Sequence, residues 1–245
     1  MIIQPDTTIK PITTIGRYAG VCYGANVQDE MKNFKRGLDC LEHEHGRTFE
    51  FVDVYLVLDG YSARVMREWY THIGGAPTRL QASTRYINYE DFRYVTPPAI
   101  QNNEEAARVY QWGMGAVQAA LKELDKLAIK REDAAMLLPL GMETRVVCKH
   151  NLRNLIDMSH QRLCSRAYRE YRELMRDLMN ALRSYSLEWE WIVENYFKPK
   201  CMLSGTCPEQ HGCGLCPPRD QPDTPKTTWL DRYDETLPKE KESTI

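Results

Sequence analysis

No stretch of this sequence approaches the roughly 20 consecutive apolar residues needed to span a bilayer. Residues 1–14 contain no apolar run of signal-peptide length either, so a cytosolic protein is expected. An excess of charge of one sign is also lacking: 32 Lys and Arg face 34 Asp and Glu, for a formal net charge of −2. Long-range attraction to nucleic acid polymers or anionic membranes therefore does not drive binding, and an anionic ligand must be held by local arginines. There is no internal repeat, and no obvious Cys–His pair for nucleophilic catalysis. With 245 residues, 42% hydrophobic and 27% charged, the chain lies in the ordinary globular range. That length suits one core with extensions.

Val27, Met31, Phe34, Leu38 and Leu41 recur at steps of four and three, which predicts an amphipathic helix ending in the polar run Glu42-His43-Glu44-His45-Gly46. Residues 49–58 read as a core strand with Val52, Val54, Leu56 and Leu58 on one side. Asp59-Gly60 predicts a turn and residues 61–70 a short helix, followed by a loop over 71–81 kept irregular by Gly74, Gly75 and Pro77. A second long helix is expected through Ala106, Tyr110, Met114, Val117, Leu121 and Leu124. After it come a strand over 142–149, a helix over 152–159, and a long helix capped by Ser165 that carries Tyr171, Leu174, Leu178 and Leu182. Mixed elements in irregular order favour an α+β fold, an antiparallel sheet packed with long helices. The expected organisation is one domain over residues 1–198, a cysteine-rich extension over 199–218 and a polar tail over 219–245, pinned by Trp229 and Leu230.

Eight cysteines without export signals do not suggest a disulfide framework, because a reducing cytosol keeps thiols reduced. Cys22, Cys40, Cys148 and Cys164 stand singly among apolar residues and read as small buried side chains. Cys201, Cys207, Cys213 and Cys216, separated by five, five and two residues, cluster with His211 in a glycine- and proline-rich stretch. Such a loop suits tetrahedral thiolate coordination of zinc. An iron–sulfur cluster or no metal are the alternatives, since the first two spacings are longer than in common zinc knuckles.

Three further segments combine polar groups with apolar flanks. His45-Gly46-Arg47-Thr48-Phe49-Glu50 sets a histidine and a carboxylate before the core strand, as a site or as a solvated edge. Arg67 to His72, the glycine loop with Arg79, and Gln81-Ala82-Ser83-Thr84-Arg85-Tyr86 supply backbone donors, hydroxyls and guanidinium groups suited to a phosphate, or an ordinary surface turn. Asn151, Asn154 and Asp157 lie three apart on one helix side, offering amides and a carboxylate to a heterocycle, or forming a polar face with caps.

In order, spacing and flanking sequence, these segments together resemble the flavin-dependent thymidylate synthase family over about residues 30–180. His45 to Glu50 is similar to the family's His-x-x-x-x-Glu element. Glu68-Trp69-Tyr70-Thr71-His72 with Ser83-Thr84-Arg85-Tyr86 resembles its Arg-His-Arg and Ser-x-Arg signature. Leu138-Pro139-Leu140, Thr144-Arg145, Asn151 to Leu155, Arg162, Ala167 and Glu170 follow its C-terminal half. The resemblance implies that Ser83 and Arg85, with Gln81 and Thr84, hold a dUMP-like nucleotide, and that Arg162 contacts its pyrimidine; Arg162 and Ser83 are the expected catalytic residues. It implies FAD lined by His45, His72, Asn151 and Asp157, with methylenetetrahydrofolate and NADPH as further partners in a homotetramer. The implied reaction is reductive methylation of dUMP to dTMP. The chain departs from the family in having Thr71-His72-Ile73 in place of Arg-His-Arg, nine residues between Ile73 and Ser83, Ala135 where an arginine is usual, and Asp157 in place of an asparagine. Arg79, Arg145 or Arg153 is expected to compensate, with Arg79 from the longer loop favoured. The alternatives are a related flavin enzyme modifying another pyrimidine nucleotide and a non-enzymatic nucleotide-binding module.

Overall fold

The computed structural model describes residues 1–217, and the expected tail with Trp229 and Leu230 lies outside the described residues. The described chain forms two compact units, one of residues 1–2, 56–72 and 78–148, the other of residues 3–55, 73–77 and 149 onward. Its four strands, β1 (Ile2–Ile3), β2 (Asp53–Ser62), β3 (Thr78–Gln81) and β4 (Glu143–Asn151), form an antiparallel sheet in the order β1-β2-β4-β3. The α+β expectation holds. The predicted side is correct, since Val52, just before β2, and Val54, Leu56 and Leu58 on it are all fully buried.

Two expectations along β2 and β3 need correction. Asp59-Gly60 is not a turn: β2 runs on to Ser62, and Gly60 absorbs the irregularity with φ +81. The expected loop over 71–81 is shortened, because residues 78–81 join the sheet as β3. Ser62 then starts the Ala63–Trp69 helix, its Oγ accepting from Val65 N–H at 3.1 Å. The second long helix spans Glu104–Lys126, where Met114 and Leu121 are buried in a cluster with Phe92 and Met142.

In the other unit the helix Pro11–Cys22 was not anticipated. Its Thr13, Thr14, Gly16 and Gly20 have weak intrinsic helix propensity, so local sequence argues against it. Packing decides instead: Ile12 and Ile15 are fully buried, and Pro11 occupies the first turn where its missing N–H costs nothing. This helix meets the Glu30–Glu42 helix backbone to backbone. A Cβ on Gly16 would lie 1.8 Å from the Asn33 carbonyl oxygen, and one on Gly37 would lie 1.9 Å from that of Ile12. Arg36 Nη1 secures the crossing by donating to Gly16 O at 2.8 Å and Asn33 Oδ1 at 2.9 Å.

The Arg169–Arg183 helix buries Tyr171, Leu174, Met175, Leu178, Met179 and Leu182. Ser165 does not cap it; the N-cap position is Tyr168, which makes no side-chain cap bond. The Leu187–Tyr196 helix, also unanticipated, is capped by Ser186, whose Oγ accepts from Trp189 N–H at 3.3 Å. It binds the start of the chain, with Trp189 Nε1 donating to Thr8 O at 2.7 Å and Thr13 Oγ1 to Glu188 Oε1 at 2.6 Å. No helix among the described residues is long and apolar enough to cross a membrane.

Candidate functional site

Asn151 closes β4 and opens the Leu152–Arg162 helix, its Oδ1 accepting from Asn154 N–H at 2.9 Å. Its Nδ2 donates to Gly75 O at 3.3 Å, and the Asn154 Oδ1 lies 2.6 Å from His150 Nδ1. Gly75 has φ +70, and a Cβ there would stand 2.2 Å from Asn151 Nδ2; one on Gly74 would be 3.4 Å from Asn154 Nδ2. Only a backbone without side chains approaches this closely, so residues 73–77 are seated on the N-terminal turn of the helix. Leu152 N–H donates to Val52 O at 2.8 Å and Asn154 N–H to Asn151, so what that turn presents is the positive end of the helix dipole.

Arg153, from the same turn, donates to Glu50 Oε1 at 2.8 Å, while Arg47 donates to Glu50 Oε2 at 2.8 Å. The hydrogen bonds from Arg153 and then Arg47 hold the Glu50 carboxyl below its ordinary range. Arg153, Asp157 and His160 face a cavity of about 710 Å³ whose other walls include Glu42, Phe49 and Tyr196. Burial lowers the His160 pKa and so favours its neutral form. The volume falls within the roughly 300–1,000 Å³ common for cofactor pockets.

Of the expected flavin residues, Asn151 and Asp157 belong to this helix. His45 does not line the 710 Å³ cavity; its side chain is exposed and borders a separate hollow with Cys22, Tyr23 and Cys40. The guanidinium of Arg162 lies 4.8 Å from the Tyr171 ring centre, and it faces a third cavity, of about 360 Å³.

His72, Arg79, Gln81, Ser83, Thr84 and Arg85 belong to the other unit. The His72 backbone N–H donates to Trp69 O at 3.4 Å. Arg79 Nη1 donates to Trp69 O at 3.2 Å and its guanidinium stacks 4.7 Å from the Tyr70 ring centre, which fixes its direction. Gln81 Nε2 donates to Thr144 Oγ1 at 3.2 Å, and Ser83 Oγ accepts from Arg85 N–H at 3.2 Å. Arg85 Nε pairs with Glu132 at 3.0 Å on an exposed surface. Thr84 and Ala135 border a cavity of only about 30 Å³, space on the scale of a single water. Arg145 Nη2 donates to Asp59 Oδ2 at 2.5 Å, so its charge is already matched.

His160 was not among the expected site residues, and the pairing of Glu50 with Arg153 was not foreseen. The sequence signal for the pair was weak: opposite charges 103 positions apart, each inside a suspect segment.

Residues 6–185 match the profile of the family described as Thymidylate synthase complementing protein. The chain belongs to this family. Among relatives of this member, the flavin-dependent thymidylate synthase of Clostridium tetani is 25% identical over 232 residues, covering 83% of this chain and 88% of that protein. The flavin-dependent thymidylate synthase of Nitratidesulfovibrio vulgaris is 28% identical over 234 residues, covering 86% and 93%. A solved structure of thymidylate synthase X from Helicobacter pylori with FAD and dUMP superposes with a TM-score of 0.63 at 17% identity, covering 80% of this chain and 98% of that one; this likeness concerns the fold.

The cysteine extension lies beyond the matched residues. Cys201, Cys207 and Cys216 are buried and packed together, whereas Cys213 is exposed. Burial, together with the hydrogen bond to Cys216, pushes the Cys201 thiol up. Among the described residues no three His, Cys, Asp or Glu side chains converge to hold a metal ion, so the zinc expectation is not supported. Of the four single cysteines, Cys40 and Cys148 are buried as expected, Cys164 is half-buried and Cys22 is exposed.

Proposed function

We propose that this chain is a flavin-dependent thymidylate synthase that binds FAD and dUMP and forms dTMP by reductive methylation. Methylenetetrahydrofolate is the carbon donor in this reading, NADPH the reductant, and a cytoplasmic homotetramer the working form. The observation that carries it is the seating of residues 73–77 on the Leu152–Arg162 helix by Asn151, beside the Glu50–Arg153 pair, in a member of this family. A helix N-terminus, an oriented guanidinium and a cavity of about 710 Å³ together suit an anionic cofactor with a planar head. Bound FAD, once reduced by NADPH, would supply the hydride.

The chain's own residues bind and orient. Asn151, Asp157, His45 and His72 are assigned to the flavin, and Gln81, Ser83, Thr84 and Arg85 to the nucleotide. Arg85 must exchange Glu132 for phosphate, which costs little because exposed ion pairs contribute only about 0–1 kcal/mol. Arg162 is assigned to the pyrimidine, and no cysteine nucleophile is needed.

Arg79 is assigned to the flavin in place of a lost family arginine, since Trp69 O and the Tyr70 ring already hold its guanidinium in one direction. Arg79→Ala is expected to weaken FAD binding about 10- to 100-fold, for a charge-assisted hydrogen bond of roughly 1.5–3 kcal/mol. Fluorescence titration of apoprotein with FAD reads this directly, and an unchanged dissociation constant would refute the assignment.

The deciding experiment is anaerobic turnover with dUMP, FAD, NADPH and methylenetetrahydrofolate, with products identified by mass. Flavin-loaded protein that yields no dTMP would sink the proposal. A second reading, a related enzyme acting on another pyrimidine nucleotide, is favoured by Thr71, Ile73 and Ala135 at positions where the family pattern has arginine. Failure to rescue a thymidine auxotroph, combined with turnover of a different pyrimidine nucleotide, would select it.

A further inference from the structure

Of the 23 residues of the Glu104–Lys126 helix, Met114 and Leu121 are buried, and they mark one side of it. The opposite side is apolar where a solvated helix would be polar. Trp112 is 76% exposed and Val109 65% exposed, with Ala116 and Ala119 exposed beside them. At about 100° per residue, Ala116 and Ala119 lie within roughly 40° of Trp112, and so do Glu105 and Arg108 before it and Glu123 and Lys126 after it. The result is a straight face roughly 30 Å long, with an indole and two small residues at its centre and charges at both ends. An exposed mid-helix indole flanked by alanines is the surface of a contact, since small residues let a second backbone come close.

The order of the charges selects what covers this face. They are mirrored in sign about the midpoint between Gly115 and Ala116: Glu105 lies as far before it as Lys126 lies after it, and Arg108 as far before it as Glu123 after it. Laid antiparallel on a second copy of itself, the face sets Glu105 against Lys126 and Arg108 against Glu123, each pairing occurring twice, and brings Trp112 over Ala119. A two-fold contact demands this self-complementarity. Parallel pairing would instead oppose Arg108 to Arg108 and Glu123 to Glu123. The present partners of these charges are easily exchanged: Lys126 Nζ meets Glu123 at 2.7 Å and Arg108 Nε donates to Glu104 O at 3.4 Å, all on the exposed surface.

We infer that the Glu104–Lys126 helix is a self-association surface, which pairs antiparallel with the same helix of a second copy of this chain. Trp112 and Ala119 form the centre of the contact, and the Arg108–Glu123 pairs fix its direction and register. The inference rests on the multimeric form proposed above, of which it names one contact, and is independent of the flavin and nucleotide assignments.

The test uses the full chain. Sedimentation velocity should show a multimer, and Trp112→Glu should shift it to a smaller species while leaving the circular dichroism spectrum unchanged, because the indole is exposed within its own chain. Arg108→Glu and Glu123→Arg should each raise the dissociation constant about tenfold or more by opposing like charges, and the double variant should return it toward that of the parent. Ala116→Cys should give a covalent dimer under mild oxidation, whereas Gln111→Cys, exposed on another side of the helix, should behave as the parent does. A multimeric parent that Trp112→Glu leaves intact and Ala116→Cys does not cross-link would overturn this contact while the homotetramer stands. A monomeric parent would overturn both. A double variant no tighter than either single one would overturn the antiparallel register.

Discussion

Gly16→Val is expected to abolish cooperative thermal unfolding or to leave the chain insoluble. The new Cβ would stand 1.8 Å from the Asn33 carbonyl oxygen and 2.6 Å from Gly37 N, both backbone atoms of the facing helix. No rotamer relieves that overlap, so the Pro11–Cys22 and Glu30–Glu42 helices must separate. Ordinary overpacking costs about 1–3 kcal/mol because side chains can shift. Here the helices themselves must move, and Arg36 loses its acceptor geometry at Gly16 O. A cost above about 4 kcal/mol is expected, a large part of the roughly 5–15 kcal/mol that keeps a domain folded. Gly115→Ala, where an added Cβ meets nothing within 4 Å, is the control. It should be neutral or raise stability by about 0.5–1 kcal/mol through helix propensity. A Gly16→Val protein melting within a few degrees of the parent would show that the close crossing is not present in solution.

Arg162→Ala carries the largest expected effect on catalysis. If the guanidinium holds the pyrimidine, removing a charge-assisted hydrogen bond of roughly 1.5–3 kcal/mol lowers kcat/KM for dUMP about 10- to 100-fold. Arg162→Lys should not restore it, because an ammonium lacks the planar fork and stacks poorly over Tyr171. FAD content measured on the same preparations separates nucleotide binding from loss of the flavin. A kcat/KM within threefold of the parent, at full flavin occupancy, would remove Arg162 from the site.

The parts of the fold that were legible in the sequence are those where local pattern and packing agree. The β2 face of Val52, Val54, Leu56 and Leu58 alternates cleanly, and the Glu104–Lys126 helix shows its period because its buried side is a single stripe of large residues. The Pro11–Cys22 helix was illegible because what stabilises it is the absence of side chains: glycines that read as helix breakers are the residues that let two backbones touch. Asp59-Gly60 misled for a related reason, since a turn dipeptide can also be an irregularity inside a strand.

In the site, the polar segments could be picked out but their partners could not. Asn151 was visible as a candidate, yet its double duty as helix cap and glycine-loop clamp depends on Gly75, which lies 76 positions away. The Glu50–Arg153 pair spans 103 positions and has no local signature. The cysteine spacing pointed to zinc, but among the described residues no three His, Cys, Asp or Glu side chains converge to hold a metal ion.

The tie between Thr13 and Glu188 sets a timetable for biosynthesis. The two residues are 175 positions apart, so the first helix waits on the ribosome for its partner through about 10–35 s of elongation at roughly 5–20 residues per second. During that wait the Pro11–Cys22 helix lacks the two hydrogen bonds that Glu188 supplies to Thr13.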